Sequence, residues 1–166
     1  MFKVDKRDYF FNSKHERINF NDMINKIISF ISEDTKCEYK LSIGTDSMTY
    51  RATHFVLAIV VHRVGRGGIY FYRKLDHQRI GDLRTKLYAE TELSIETADL
   101  LVSTLLDEDE HILDKLNLSI HLDIGTTGPT KDLIKELEGW VMAVGYEYEI
   151  KPNSYAASFV ADRYSK

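Results

Sequence analysis

The feature that most constrains the fold is a change from helical to strand-like spacing of the apolar residues. Residues 20–31 carry apolar side chains at the three- and four-residue intervals of an amphipathic helix. The segments 39–47, 54–64 and 67–76 are instead rich in β-branched and aromatic residues, which predicts three strands. GRGG at 65–68 joins the last two, because glycine adopts the positive φ angles of a tight hairpin. The three strands should therefore form an antiparallel meander.

The rest of the chain alternates between helix and strand. We predict helices over 82–109, 128–145 and 154–166, with strands over 118–126 and 146–152 between them. Three antiparallel strands followed by this alternation predict an α/β fold with one mixed five-stranded sheet flanked by helices.

The chain shows no internal division, since its 166 residues contain no repeat, low-complexity tract or Pro/Gly linker. We therefore expect a single domain over residues 1–166. Residues 1–38 are predicted to form an N-terminal arm and helical extension, with 1–18 irregular, and residues 39–166 to form the core.

Charge and cysteine content exclude several classes of function. The net charge of −4 gives no overall basic field for binding nucleic acid, although a cluster of metal-binding carboxylates would itself add negative charge. Cys37 is the only cysteine, which excludes an internal disulfide or a cysteine zinc site. The longest apolar run, 55–61, is too short to cross a bilayer. We expect a soluble, cytoplasmic protein without membrane contact.

Two aspartates lie where predicted strands end: Asp46 after the first strand and Asp123 after the fourth. Right-handed crossovers tend to place such strands side by side and parallel, so both carboxylates should meet at the edge where α/β sheets bind ligands. Taken singly, each aspartate is as typical of a turn as of a site, and Asp162 on the last predicted helix is typical of a solvated charge. If Glu90 and Asp162 converge with them, the mutual repulsion requires divalent cations. Oxygen ligands suit Mg²⁺ or Mn²⁺, and two such ions can activate water for phosphodiester hydrolysis.

Four segments together resemble the YkuK-type ribonuclease H-like family of uncharacterised bacterial proteins. They are IGTDS (43–47), HRVGRGG (62–68), HLDIGTTGPTK (121–131) and KPNSYAASFVAD (151–162). The resemblance covers nearly the whole chain and implies a ribonuclease H fold. It also implies acids on the first strand, the first core helix, the fourth strand and the last helix. These positions correspond to Asp46, Glu90 or Glu92, Asp123 and Asp162. The loop KPNS lacks the histidine that many ribonucleases H have there, so the resemblance does not extend to histidine-assisted product release.

Helical geometry distinguishes Glu90 from Glu92 as the candidate ligand. At about 100° per residue, Glu90 lies about 45° from the centre of the apolar stripe that should face the sheet, and Glu92 about 155° away. A carboxylate on the stripe is costly unless it has a partner, and a metal ion is such a partner. We therefore predict Glu90 as the helix ligand.

These observations favour a divalent-metal-dependent nuclease with a two-metal carboxylate mechanism, acting on RNA, DNA or a hybrid. The alternative is a catalytically inactive ribonuclease H-like module that binds nucleic acid or protein. DIGTT at 123–127 also resembles the phosphate loop of sugar kinases and actin-like ATPases, but those proteins need two such domains and this chain has room for one.

Five further residues are candidates for supporting roles. His121 and Ser47 are expected beside the ligands, although a histidine such as His121 is more often a hydrogen-bonded structural group beside a site than a ligand. Arg63, Arg66 and Lys151 are candidate phosphate contacts, with charge protection of a sheet edge as the alternative for the two arginines. The aromatic residues are predicted to belong to the core and not to a base-stacking surface.

Overall fold

The computed structural model describes residues 3–156 and residue 160. Within this part of the chain the helices are α1 (Phe20–Glu33), α2 (Leu83–Glu108) and α3 (Ile134–Ala143). The strands are β1 (Tyr9–Phe11), β2 (Arg17–Asn19), β3 (Tyr39–Thr49), β4 (Thr53–Arg63), β5 (Gly68–His77), β6 (Leu116–His121) and β7 (Glu147–Glu149). The predicted alternation of helix and strand is therefore present from α2 to β7, whereas most of the last predicted helix, 154–166, lies outside the described residues. The predicted helix over 128–145 is shorter, because residues 131–133 form a 3-10 turn before α3.

All the strands above form one sheet in the order β2-β1-β5-β4-β3-β6-β7. β3, β4 and β5 are an antiparallel meander, and β6 and β7 add parallel strands beyond β3. Gly65 and Gly67 have φ angles of 79° and 85° in the turn between β4 and β5, as the GRGG motif predicts. The α/β class and the mixed sheet are confirmed.

The prediction of five strands is wrong, because the described sheet has seven. Residues 9–11 and 17–19, which were predicted to be irregular, pair with each other as an antiparallel hairpin. Phe11 also pairs with Tyr72, so the hairpin extends the sheet beyond β5. Strands of three residues are too short to show a two-residue period in a sequence.

Helix α1 is a layer of the core and not an extension attached to it. The Asn19 side chain accepts a hydrogen bond from the Asp22 backbone amide at 2.8 Å and so caps the helix. Its apolar stripe is buried in the same core as the sheet and α2. Residues 9–33 therefore contribute the β1–β2 hairpin at one edge of the sheet, and they also contribute side chains to the core.

The two faces of the sheet have different covers. Thr45 of β3 and Ser94 of α2 share a buried hydrogen bond at 2.8 Å, so odd-numbered residues of β3 face α2. On the opposite face Val160 packs against Ala58 and Tyr72. Asp46, an even-numbered residue of β3, belongs to this second face. No helix within residues 3–156 and 160 is long and apolar enough to cross a membrane.

Candidate active site

The register of two parallel strands brings Asp46 and Asp123 together. The ladder between β3 and β6 ends with Gly44 opposite His121, so two residues further along Asp46 lies opposite Asp123. Their carboxyl groups are close enough for one to donate a hydrogen bond to the other when protonated. One detail differs from the sequence analysis: β3 continues to Thr49 by pairing with β4, so Asp46 lies within the strand and not at its end.

The surroundings of Asp46 destabilise the ionised form of its carboxyl group. Burial removes water from its carboxyl group, and the neighbouring charge of Asp123 adds repulsion, which together raise the pKa of Asp46 to about 6. The Ser47 backbone amide, which donates to Asp46 Oδ1 at 2.8 Å, partly offsets this shift. A cation placed between the two aspartates would relieve both costs.

Glu90 approaches the same point from α2. Its side chain is only 7% exposed, and Ser47 Oγ donates a hydrogen bond to Glu90 Oε1 at 3.0 Å. Burial, followed by repulsion from Asp46, raises the pKa of Glu90 well above its usual value. Glu92 lies elsewhere on the helix, where its charge acts on Glu96. The structure thus brings Glu90, and not Glu92, to the aspartate pair.

Lys151 occupies the outer side of Asp123. Asp123 and Lys151 each lie two residues beyond the last pair of the β6–β7 ladder, in which His121 is opposite Glu149. Lys151 Nζ is 3.0 Å from Asp123 Oδ1. The predicted phosphate contact is therefore, in this structure, the cation that neutralises one of the predicted metal ligands.

His121 is buried beside the site and holds the backbone of the segment that follows β7. Its Nδ1 accepts hydrogen bonds from the backbone amides of Tyr155 at 3.0 Å and Ala156 at 3.3 Å. An accepting Nδ1 leaves the proton on Nε2, so the ring is neutral. Burial lowers the pKa of His121 to about 4, which keeps it neutral under physiological conditions. His121 thereby fixes the start of the segment that carries Asp162, a residue that lies outside the described part of the chain.

The two predicted arginine contacts lie at the other end of the sheet. Arg63 pairs with Tyr39, seven residues before Asp46, which places it about 23 Å away along the strand. Its guanidinium donates to the Tyr39 hydroxyl at 3.0 Å and to the Phe30 carbonyl at 2.8 Å. Arg66 pairs with Asp34 at 2.6 Å. Both arginines therefore fasten the end of α1 to the β4–β5 hairpin.

The oxygen-only composition of the cluster fits a hard divalent cation such as Mg²⁺ or Mn²⁺. Asp46 and Asp123 offer the closest pair, and a cavity of about 10 Å³, room for about one water-sized group, is lined by Glu90, Asp123 and His121. Among residues 3–156 and 160, however, no three Asp, Glu, His or Cys side chains are arranged to hold a metal ion together. The described residues therefore fit the chemistry of the metal without supplying a complete set of ligands.

Sequence reasoning missed an exposed group at this same end of the sheet. It assigned the aromatic residues to the core, whereas Tyr50, in the turn between β3 and β4, is 73% exposed. Arg51, the next residue, is exposed. Arg79 is also exposed and lies close to Tyr50, since its Nε donates to the Tyr50 carbonyl at 3.1 Å. The available signal was the pair Tyr-Arg at 50–51, between two segments with strand character.

Comparison with known proteins gives one family and one relative. The family described as "Ribonuclease H-like" matches residues 22–166. "Uncharacterized protein YkuK" from Bacillus subtilis (strain 168) is 38% identical over 167 residues, covering 95% of this chain and 96% of that protein. No solved structure matches the chain.

Proposed function

Because the chain belongs to the ribonuclease H-like family, we propose that it is a divalent-metal-dependent nuclease that hydrolyses phosphodiester bonds in nucleic acid. Family membership supports a nuclease-type function in general terms, since one fold can host several functions. The finer proposal concerns the residues, the metal and the reaction.

One observation carries the proposal: just beyond the last pair of the β3–β6 ladder, the carboxyl groups of Asp46 and Asp123 lie within hydrogen-bonding reach of each other, and both charges act on the buried Glu90. Three acids this close together destabilise the folded state when they are ionised, so such a cluster indicates a functional site. Asp46, Glu90, Asp123 and Asp162 are the proposed ligands of one or two Mg²⁺ or Mn²⁺ ions. When bound, these ions would supply an activated water and stabilise the leaving oxygen.

The protein's own groups have separate roles in this proposal. Asp46 and Asp123 hold the cations between the strand ends, and Ser47 orients the Glu90 carboxylate through its 3.0 Å hydrogen bond. His121 acts through the backbone, because it fixes the start of the segment leading to Asp162. Lys151 lies where it can release Asp123 to a metal and contact a phosphate instead.

The test is a cleavage screen in the presence of Mn²⁺ or Mg²⁺ over single-stranded RNA and DNA, both duplexes, an RNA–DNA hybrid and a branched junction. We expect metal-dependent cleavage of at least one substrate by the wild-type protein and none by Asp46→Asn. The matched control is Asp107→Asn, which changes an exposed aspartate near the end of α2. Cleavage that survives in Asp46→Asn would contradict the proposal.

A catalytically inactive binding module is the second candidate. The observation that favours it is the 3.0 Å contact between Lys151 and Asp123, which neutralises a proposed ligand without any metal. The same screen separates the two candidates. A module binds nucleic acid without cleaving it, and its binding is insensitive to divalent metal.

A further inference from the structure

The turn between β3 and β4 is held rigidly against the segment that leads into α2. Thr49 and Thr53 share a hydroxyl hydrogen bond at 2.9 Å, and the Ile80 backbone amide donates to Thr53 Oγ1 at 2.8 Å. Thr49 Oγ1 also donates to the Ile80 carbonyl at 3.2 Å. These bonds join two loops that are 27 to 31 residues apart in the sequence. The tip of the turn is therefore preorganised and needs little ordering when it binds a ligand.

Side chains of two kinds project from this fixed turn. Tyr50 is 73% exposed and Met48 is 53% exposed. Among the exposed large hydrophobic residues of the described part of the chain, Tyr50 ranks first and Met48 third, after Met142. Arg51 and Arg79 are also exposed. The Nε bond to the Tyr50 carbonyl uses one of the five N–H donors of Arg79. An exposed aromatic residue thus lies next to Arg51 in the sequence, and its backbone carbonyl is held by Arg79.

Charge is distributed unequally between the two ends of the sheet. Residues 48–53, around the turn after β3, and 77–86, from the end of β5 into the first turn of α2, contain four basic residues and one acidic residue. The segments before β3 and β6, residues 33–38 and 107–115, contain eight acidic residues and two basic ones. Asp46, Glu90 and Asp123 lie at the Tyr50 end as well, and Arg63 and Arg66 lie at the other end, paired with Glu33 and Asp34. The contrast is therefore one of local surface: the turn around Tyr50 suits a polyanion, and the acidic segments repel one.

From these observations we infer that Tyr50, Arg51 and Arg79 form a binding surface for single-stranded nucleic acid, with Tyr50 stacking on an unpaired base and the arginines contacting phosphates. The inference rests on the proposed function, and it narrows the substrate class. Tyr50 lies four residues beyond Asp46, about 13 Å along the strand. A stacked strand covers that distance in about four nucleotides, so one strand can reach both places.

The preference for a single strand follows from the chemistry of stacking. A tyrosine ring stacks on a base only when that base is not already stacked in a duplex, and each such contact is sequence-tolerant. Arginines beside the ring add phosphate contacts that are also independent of sequence. The surface should therefore bind RNA and DNA single strands in preference to the corresponding duplexes.

The experiment measures binding alone, and the cleavage screen described above measures cleavage. Fluorescence anisotropy with a labelled 12-nucleotide single strand, RNA or DNA, and with its duplex is recorded in EDTA, where no metal-dependent cleavage occurs. We expect Tyr50→Ala to weaken single-strand binding about tenfold and Tyr50→Phe, which keeps the ring, to restore it. Arg51→Ala should weaken binding of both oligonucleotide types. Met142→Ala, at an exposed position at the end of α3, and Lys36→Ala, in the segment before β3, are the controls.

The outcomes test the single-strand binding surface and the proposed nuclease activity separately. Equal single-strand binding by the wild-type protein and Tyr50→Ala would overturn the inference, even if the wild-type protein cleaves nucleic acid. Tighter binding of the duplex than of the single strand would also overturn it. Single-strand binding that depends on Tyr50, in a protein without metal-dependent cleavage, would support the inference and contradict the proposed nuclease activity.

Discussion

Lys151 Nζ lies 3.0 Å from Asp123 Oδ1 and neutralises the charge of this carboxylate. The two residues follow the neighbouring parallel strands β6 and β7, and the Lys151 backbone amide also donates to the Ile124 carbonyl at 2.8 Å, so the chain segments that carry the pair are joined. A divalent ion bound by Asp123, as proposed, would compete with the ammonium group for this oxygen.

Millimolar Mg²⁺ or Mn²⁺ should stabilise the wild-type protein, because a cation relieves the repulsion between Asp46 and Asp123 that raises the pKa of Asp46. At ten times the dissociation constant the gain is about 1.4 kcal/mol, or about 3–6 °C in the thermal midpoint. Differential scanning fluorimetry with and without metal measures the shift. Asp46→Asn is the control and should show no shift; an equal shift in that variant would mean that the metal binds elsewhere.

Lys151→Gln should lower the thermal midpoint without metal and enlarge the gain on adding Mg²⁺, because Asp123 then loses its internal cation. Lys151 is 56% exposed, so the loss without metal should be below about 1 kcal/mol, or about 2–4 °C. Lys131→Gln changes an exposed lysine in the loop before α3 and is the matched control. A smaller Mg²⁺ effect in Lys151→Gln than in the wild type would show that Lys151 assists metal binding.

Asp46→Asn should stabilise the metal-free protein at neutral pH. The pKa of Asp46 is about 6 in the fold, against 3.8 as a reference, so the folded protein holds a proton that the unfolded chain has lost. Stability therefore falls as the pH rises from about 4 to about 6, and asparagine removes this loss. Denaturant unfolding should show a gain of about 1–3 kcal/mol at pH 8 and almost none at pH 4. A variant that is less stable than the wild type at pH 8 would contradict this assignment.

Glu90→Gln should reduce metal-dependent cleavage by about 100-fold or more, whereas Glu92→Gln should leave it nearly unchanged. The reason is position: Glu90 is buried against Ser47 and Asp46, and Glu92 acts on Glu96. Rates are compared at saturating metal, with circular dichroism as a check on folding. The reverse result would place Glu92 in the site, and full activity in both variants would leave only the aspartates as ligands.

Arg63→Met should destabilise the protein by about 2–3 kcal/mol without changing the cleavage rate of the folded fraction. The substitution removes hydrogen bonds to the Phe30 carbonyl and the Tyr39 hydroxyl, and it also removes the guanidinium that lies 4.0 Å from the centre of the Phe30 ring. Urea unfolding measures the first effect and initial rates measure the second. A lower rate with unchanged stability would restore Arg63 as a phosphate contact.

The fold was predictable from the sequence wherever a pattern was long enough to repeat. The apolar stripe of α1, the three long strands and the hairpin glycines each specify one local structure. The β1–β2 hairpin was not predictable, because three residues show no period and the pairing of Phe11 with Tyr72 depends on the assembled sheet. The same limit applies to the start of α3, where a 3-10 turn replaces the expected first turn.

The carboxylate cluster was predictable in part and for a definite reason. Parallel crossover topology brings Asp46 and Asp123 to one edge, and helix periodicity directs Glu90 towards them. Lys151 was expected near phosphate and not on Asp123, because the sequence does not reveal the register of β6 and β7. Tyr50 was assigned to the core, because residue type indicates burial only on average.

The unequal charge at the two ends of the sheet turns the protein into an electric dipole. In the field of a polyanion this dipole rotates the molecule, so the turn between β3 and β4 leads and the acidic segments before β3 and β6 trail. Fewer collisions are then wasted on wrong orientations, which raises the association rate constant. The advantage shrinks as added salt shortens the distance over which the torque acts. A protein with a net charge of −4 can in this way be drawn towards nucleic acid by one end only.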